Sequence, residues 1–332
     1  MKVPSIRVCL PLLFSINGEH GVHRVRRNNL RRPASCSSHI LRWARREACR
    51  HTDRRPTGDR FQNKQTTQYL RLYVPKNATS SSAQKLPLLV YFHDGAFFIG
   101  TASSPMYHTY LNSLVAEANV IAVPVDYRRA PEHPIPIAYH DSQYALKWLA
   151  SHYGGNGHEK WLNRHVDFNK VYLSGDSTGA NKSHHMAIRI GKEKLDGINL
   201  AGIMLIHPYF GGKEPVGDET KDPDKRAKIE RFWRLVSPTT SGTDDPWINP
   251  FKDQSLASLV CSRVLVCVAE KDVLRHRGWY YCERLKKTGW KGEVEMMESK
   301  GEDNVFPLLE PTCDSAMAKL KKVAAFMNQG PW

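Results

Sequence analysis

The chain is short of the features that announce several common protein classes. Its seven cysteines, Cys9, Cys36, Cys49, Cys261, Cys267, Cys282 and Cys313, fall at no paired spacing and form no C-x-x-C. That argues against a disulfide scaffold and a structural zinc site, and fits a reducing compartment such as the cytoplasm. No apolar run is long enough to span a bilayer. The stretch VCLPLLFSI near the start is brief and interrupted by Pro11, which leaves a secretory signal only as a lesser alternative. H-E-x-x-H, H-x-E with C-x-x-C, the Walker loop and the dinucleotide glycine fingerprint are all missing, so neither a metal nor any other cofactor is expected.

Acidic residues are scarce in one place. The formal charge of the 332 residues is +15, and residues 1–70 hold 15 Lys and Arg against 4 Asp and Glu. The remainder holds 33 against 29. The excess therefore belongs to the N-terminus, and no nucleic-acid partner is expected for the folded body. Residues 1–66 read as a basic, poorly ordered extension. Its HRVRRNNLRRPASCSSHILRWARREACRHTDRRPTGDR segment is open to three readings: an organelle transit peptide, a nucleic-acid-binding arm, or an extension with no address.

From residue 67 to 330 the texture is that of one domain. Candidate strands lie at 68–75, 86–93, 119–127, 170–175, 201–208, 263–270 and 292–298, and most are near-continuous apolar runs that suit strands buried on both faces of a parallel sheet. Amphipathic patterns at 104–118, 140–152, 278–289 and 315–328 lie between and after them. Strand alternating with helix predicts an α/β fold with a mostly parallel, doubly wound sheet. Residues 211–250 break the rhythm with loops rich in Pro, Gly and Asp around a helix at about 224–236, as a lid insertion would.

Chemistry concentrates at VYLSGDSTGANKSHH, residues 171–185. Ser177 lies in Gly175-Asp-Ser-Thr-Gly179, the G-x-S-x-G pattern, with an apolar strand before it and a helix after it. Gly175 and Gly179 allow the sharp reversal, and the helix N-terminus favours negative charge at the serine. Upstream, His93-Asp94-Gly95 follows the strand at 86–93, where backbone N–H groups can face the same point.

Together with VDYRRAPEHPIPIAYHDS (125–142), GDSTGAN and AEKDVLRHRGWYYCERL, these motifs make the chain resemble the plant carboxylesterases. These form part of the hormone-sensitive-lipase-like branch of the α/β-hydrolases. The resemblance covers residues 68–330 and stops at the Arg-rich stretch, where that family has an early strand and helices that help close the pocket. It implies an α/β-hydrolase fold with a short lid, Ser177 as nucleophile, and Asp272 in EKDVL as the acid that orients a histidine. The amides of Asp94, Gly95 and Thr178 would form the oxyanion hole, with His93 as support. The base should lie in a pattern that the family writes G-E-D-H-V-F, and this chain reads Gly301-Glu-Asp-Asn-Val-Phe306. Asn304 stands at the histidine position, and an amide has no nitrogen that accepts a proton near neutral pH.

Other residues bear on that site. His184 and His185 lie along the helix after the elbow and point in different directions. His207 ends a strand near the lid, and none of these histidines holds the loop position required. Asp94 adds a carboxylate where an oxyanion would develop. Pro124 removes an N–H from a strand and should weaken pairing there, while Pro307 falls in the loop of Asn304. Tyr209, Phe210, Phe232, Trp233 and Trp247 are candidates for an aromatic pocket wall but fit the core better. The expected function is a serine hydrolase of small acyl esters with weak or absent turnover. A non-catalytic binder of small apolar acids is the alternative, since the gibberellin receptors share the scaffold and also lack the histidine. A degraded product with no selected activity is the third reading.

Overall fold

The structure, a computed structural model, describes residues 61–63, 66–68, 71–79 and 84–329. The basic extension drawn over residues 1–66 lies outside those residues except for parts of a short antiparallel pair, β1 (Phe61–Asn63) and β2 (Thr66–Gln68). Of the run at 68–75, Gln68 ends β2, residues 69–70 lie outside the described residues, and 71–75 forms no strand. It contributes one antiparallel bridge, from Tyr73 to Ala122.

The main body alternates as the apolar pattern requires: β3 (Leu86–Phe92), α1 (Pro105–Ala118), β4 (Ile121–Val125), α2 (Ile137–Ala150), α3 (Lys160–His165), β5 (Val166–Asp176), α4 (Thr178–Glu193), β6 (Leu200–Ile206), α5 (Pro223–Val236), β7 (Arg263–Ala269), α6 (Arg275–Lys287), β8 (Glu293–Ser299), α7 (Phe306–Leu309) and α8 (Asp314–Asn328). The six strands β3–β8 form one parallel sheet in the order β4-β3-β5-β6-β7-β8. Side chains alternate faces along each strand. Leu88, Val90 and Phe92 of β3 therefore join the core under α2, α4 and α6, while Leu89 and Tyr91 join the core under α1 and α8. Helices on both faces bury the whole strand, and this is why the runs read as continuously apolar.

Pro124 costs the sheet less than expected, because β4 is an edge strand. The N–H and C=O of Ala122 both bond Tyr73, on the side away from β3. By the period of two, Pro124 faces the same way, so its missing N–H removes no bond to β3.

The segment after β6 carries α5. Asp222 caps this helix through the N–H groups of Asp224 and Lys225, and Trp233 is buried from it against Phe97. The start of the segment is held to α6 by Arg277. Its buried guanidinium pairs with both oxygens of Glu219 at 2.7 Å and donates to the carbonyls of Gly211, Gly212 and Glu214. Among the described residues, no helix is long and apolar enough to cross a membrane.

The tightest approach in the sheet lies where β5 turns into α4. A Cβ on Gly179 would stand 1.9 Å from the Phe92 carbonyl oxygen, and one on Gly175 would stand 2.4 Å from the same atom. Gly179→Ala should therefore cost about 3 kcal/mol or more, because backbone rather than a flexible side chain must yield. Thermal denaturation should show a Tm lower by roughly 6 °C or more, or no soluble folded protein. An unchanged Tm would show that α4 can slide off β3.

Candidate active site

Ser177 is the residue between β5 and α4, and its backbone is left-handed at φ 51 and ψ −112. A serine tolerates that region at a cost of about 1–3 kcal/mol, so the surrounding bonds must hold it there. The Ser177 N–H donates to the Ile206 carbonyl at 2.8 Å, and its carbonyl accepts from Tyr209 N–H at 3.0 Å. Its side chain is buried, and Oγ has no hydrogen-bond partner among the described residues.

The loop after β3 is pressed against this turn. Gly95, at φ 128, begins a run of positive φ through Ala96 and Phe97, and its carbonyl accepts from Phe98 and Ile99. Two amides converge beside Ser177, those of Ala96 and Thr178. They meet at Asp94 Oδ1, which accepts from Ala96 N–H at 3.1 Å, from Thr178 N–H at 3.4 Å and from Thr178 Oγ1 at 3.0 Å. The Asp94 amide, expected as a donor to the site, is instead spent on the Tyr107 hydroxyl at 2.9 Å. Ala96, which the motif reading passed over, supplies the converging N–H. Its place directly after Gly95 was the available signal.

Asp272 and Asn304 stand on neighbouring turns. Glu270 N–H bonds the Ser299 carbonyl and Lys271 N–H bonds the Glu302 carbonyl, which ties the turn after β7 to the turn after β8. Asp272 is 4% exposed; Oδ1 accepts from Leu274 N–H at 2.9 Å, while Oδ2 has no partner among the described residues. Burial, then repulsion by Asp303, pushes its pKa up to about 7. Asn304 is 8% exposed, and neither Oδ1 nor Nδ2 completes a hydrogen bond among the described residues, although its amide approaches the His207 ring. Ser177, Asp272 and Asn304 thus each carry a buried, unsatisfied polar atom at the carboxyl edge of the sheet, an arrangement costly to leave in place.

The histidines are engaged elsewhere. His93 is stacked on Tyr127 at 4.3 Å, with Nδ1 on the Asp94 carbonyl and Nε2 3.3 Å from Asp126. His184 Nδ1 meets the Tyr281 hydroxyl at 3.0 Å, and His185 Nε2 meets the Trp247 carbonyl at 3.1 Å. Burial holds His185 neutral, with its pKa lowered to about 4. His207 receives Val305 N–H on Nδ1 at 2.9 Å and faces Lys319 Nζ across Nε2 at 2.5 Å. With Nδ1 accepting, neutral His207 carries its proton on Nε2, so this chain closes only when the Lys319 amine is unprotonated. Burial draws Lys319 in that direction, to about 8.

Further buried groups escaped the motif reading. Asp176 accepts from the hydroxyls of Tyr91 at 2.8 Å and Tyr107 at 3.0 Å, and burial lifts its pKa to about 7. Lys182 is fully buried over the Tyr127 ring at 3.8 Å, with no hydrogen-bond partner for Nζ among the described residues. A lysine on the inner face of the helix after the elbow was the visible signal. Among the aromatics, Trp247 stacks on Tyr139 at 4.2 Å, Phe210 stacks on Tyr281 at 5.2 Å, and Phe232 lies near Tyr209 and Phe98. Pro307 lies in the first turn of α7, directly behind the loop of Asn304.

A family model described as alpha/beta hydrolase fold matches residues 89–308. Probable carboxylesterase 7 of Arabidopsis thaliana is 50% identical over 262 residues, covering 78% of this chain and 83% of that protein. Tuliposide A-converting enzyme 1, chloroplastic, of Tulipa gesneriana is 44% identical over 261 residues, covering 78% of this chain and 66% of that protein. Among solved structures, the carboxylesterase EstE1, from a metagenomic library, superposes with a TM-score of 0.67 at 23% identity, covering 87% of this chain and 94% of that one. At that identity the likeness speaks for the fold.

The state of Asp272 can be tested through stability. Its pKa in the folded chain is raised, so the folded state holds the proton more tightly than the unfolded state does. Stability from this group is full below the ordinary carboxyl pKa and is lost as pH rises toward about 7. Asp272→Asn keeps an acceptor for Leu274 N–H and removes the buried charge. Its stability should exceed that of the native chain at pH 8 by about 1–3 kcal/mol, a Tm higher by roughly 3–8 °C, and the gap should shrink at pH 5. A gap that is the same at both pH values would show that the carboxyl is not the titrating cost.

Proposed function

The chain belongs to the α/β-hydrolase fold family, and from that membership we propose that it carries a carboxylesterase-type site for small acyl esters whose turnover is weak or absent. The site is that of a serine hydrolase by inheritance: Ser177 at the elbow would attack the acyl carbon, Asp272 would hold the base, and the amides of Ala96 and Thr178 would receive the oxyanion. The base is what fails. Asn304 occupies its position in Gly301–Phe306, so no group there takes the serine proton, and Asp272 is left without a cation to orient. The single observation that carries this reading is the trio of buried residues with unsatisfied polar atoms, Ser177, Asp272 and Asn304.

A second obstacle acts on the other half of the reaction. Asp94 Oδ1 already takes the donors that an oxyanion would need. This favours the alternative of a non-catalytic small-molecule binder on the same scaffold, in which the elbow serves only as a rigid wall. A hydrolase domain over residues 67–330, with its lid at 211–250, is the unit we assign to either role. The cytoplasm is its proposed compartment. An organelle is the alternative, supported by the Arg-rich N-terminus and by the chloroplastic tulip relative.

Hydrolysis of a short-chain activated ester, compared with Ser177→Ala, tests the reading directly. The native chain should run close to that control, and activity well above it would show that another base exists. Asn304→His should restore part of the activity, since loss of a triad histidine costs up to about a million-fold. Adding Asp94→Gly should raise it by a further hundred- to thousand-fold or so, the usual scale of an oxyanion-hole defect. Asp94→Gly alone should do little, because no base would generate the nucleophile. Putting Asp272→Asn on top of the double variant should remove most of the gain. Organophosphonate labelling of Ser177 in the native chain should be slow, and rapid stoichiometric labelling would count against the proposal.

A further inference from the structure

Behind the loop of Asn304, two groups make claims on one imidazole. His207 follows β6, with its backbone in the left-handed region at φ 46 and its N–H on the Cys267 carbonyl at 2.7 Å. The ring is fully buried and stacks on Phe306 at 5.8 Å. Its Nδ1 lies 2.9 Å from the Val305 amide nitrogen, and its Nε2 lies 2.5 Å from Lys319 Nζ of α8. Burial, then the charge of Lys319, keeps the ring neutral. A neutral imidazole has one N–H and one lone pair. When Val305 N–H takes the lone pair at Nδ1, the proton stands on Nε2, and Lys319 can receive it only as a free amine. An ammonium has no lone pair to offer. It needs Nε2 as its acceptor, which moves the ring proton to Nδ1 and sets donor against donor at Val305.

The loop is poised to respond to that conflict. Val305 sits at φ 49, a conformation rare for a β-branched residue and kept only where its surroundings hold it. Asn304 adds no completed side-chain hydrogen bond among the described residues. The start of the loop is tied by Lys271 N–H to the Glu302 carbonyl at 2.8 Å, so the response falls on Asn304 and Val305. An ammonium has one other way out, toward Asp176 across a cavity that both residues line with Tyr110 and Val305. That way is poor. Both Asp176 oxygens already accept, from Tyr91 at 2.8 Å and Tyr107 at 3.0 Å, and the cavity is about 10 Å³, the size of one water.

We propose that His207 is a proton-operated latch on the loop of Asn304 and Val305, closed while the Lys319 amine is unprotonated and released once that amine is an ammonium. The latch goes beyond the function proposed above and holds whether or not the site turns over esters. Lys319 is faced by Cys267 of β7, Asp272 after β7, Asp176 at the end of β5 and Glu302 after β8, all of which favour the ammonium. The Phe306 ring, 4.1 Å from Nζ, favours it as well. Burial outweighs them and lowers the lysine to about 8. In the released state Nζ gains Nε2 as an acceptor, so its pKa there is higher. The closed state therefore holds fewer protons than the released one, and closure strengthens as pH rises through about 8.

The test is NMR of the full chain at pH 7.5 and pH 9.5, reading amide exchange at Val305 and the ring nitrogens of His207. The protection factor of the Val305 amide, corrected for the intrinsic pH dependence of exchange, should rise at least about fivefold between the two. Over the same interval the His207 ring should pass from a population carrying the proton on Nδ1 to one carrying it on Nε2. Lys319→Gln puts a neutral acceptor beside Nε2, so Val305 should be protected equally at both pH values and the ring should stay in the Nε2–H form. Lys319→Met, which offers neither a charge nor a donor, should also be flat and serves if the glutamine variant does not fold. A native ring with its proton on Nε2 at both pH values would mean that the ammonium turns to Asp176 instead, and would overturn the proposal. Val305 protection that does not rise in the native chain, or that rises as much in both Lys319 variants, would overturn it too. Ester turnover enters none of these readouts, so the latch and the weak-turnover reading fail separately.

Discussion

The backbone of β3 and the turn into α4 touch at the Phe92 carbonyl, and the geometry of the site follows from that approach. Neither Gly175 nor Gly179 leaves room for a side chain there. Because the two segments meet, the loop that leaves β3 must turn at once, and it does so through successive positive φ values at Gly95, Ala96 and Phe97. That turn aims the Ala96 N–H at the point that the Thr178 N–H also faces. Whatever side chain stands at position 94 is presented to two amides and a hydroxyl. A glycine there would leave them open to a ligand, whereas an aspartate closes them.

A second constraint is electrostatic. The site gathers Asp94, Asp176, Asp272, Lys182 and Lys319, all buried, where each charge needs a partner or a shifted proton. The groups differ in how they meet that need. Asp176 has the hydroxyls of Tyr91 and Tyr107. Asp94 has the donors of the elbow itself. Asp272 has one backbone N–H and then nothing for its second oxygen, so its proton affinity rises. Lys182 rests on aromatic rings, and Lys319 completes a chain through His207 to the amide of Val305, just behind Asn304. The protonation state of the lysine on α8 is thereby linked to the loop of Asn304 and Val305.

Much of the architecture is written in local pattern. The runs from 86 to 269 became parallel strands because residues buried on both faces must be apolar at nearly every position, and that signal survives without any partner; β8, at the edge, is only half-buried and carries Glu293, Glu295 and Glu298. The helix α5 within residues 211–250 was legible because Asp222 and Pro223 mark its start in the residue order. The run at 68–75 misled. It is apolar enough for a strand, yet beyond Ala122 it has little to pair with, and pairing is a property of the neighbour. Pro124 misled in the opposite direction, since its cost depended on whether β4 was an edge, which no local pattern shows.

At the site the division is sharper. The chain order alone establishes that a serine stands between two glycines, that an asparagine stands in Gly301–Phe306, and that a carboxylate follows His93, because these are matters of identity and spacing. Only the packed molecule decides which N–H groups converge, so the Asp94 amide goes to the Tyr107 hydroxyl while the Ala96 amide turns to Asp94 Oδ1. Packing also decides that Lys182 and Lys319 are inside the protein, and that Asp272 is left with an unsatisfied oxygen. Direction, burial and the distance between turns remote in the chain arise when the sheet brings the ends of β3, β5, β7 and β8 to one edge, and no residue carries them alone.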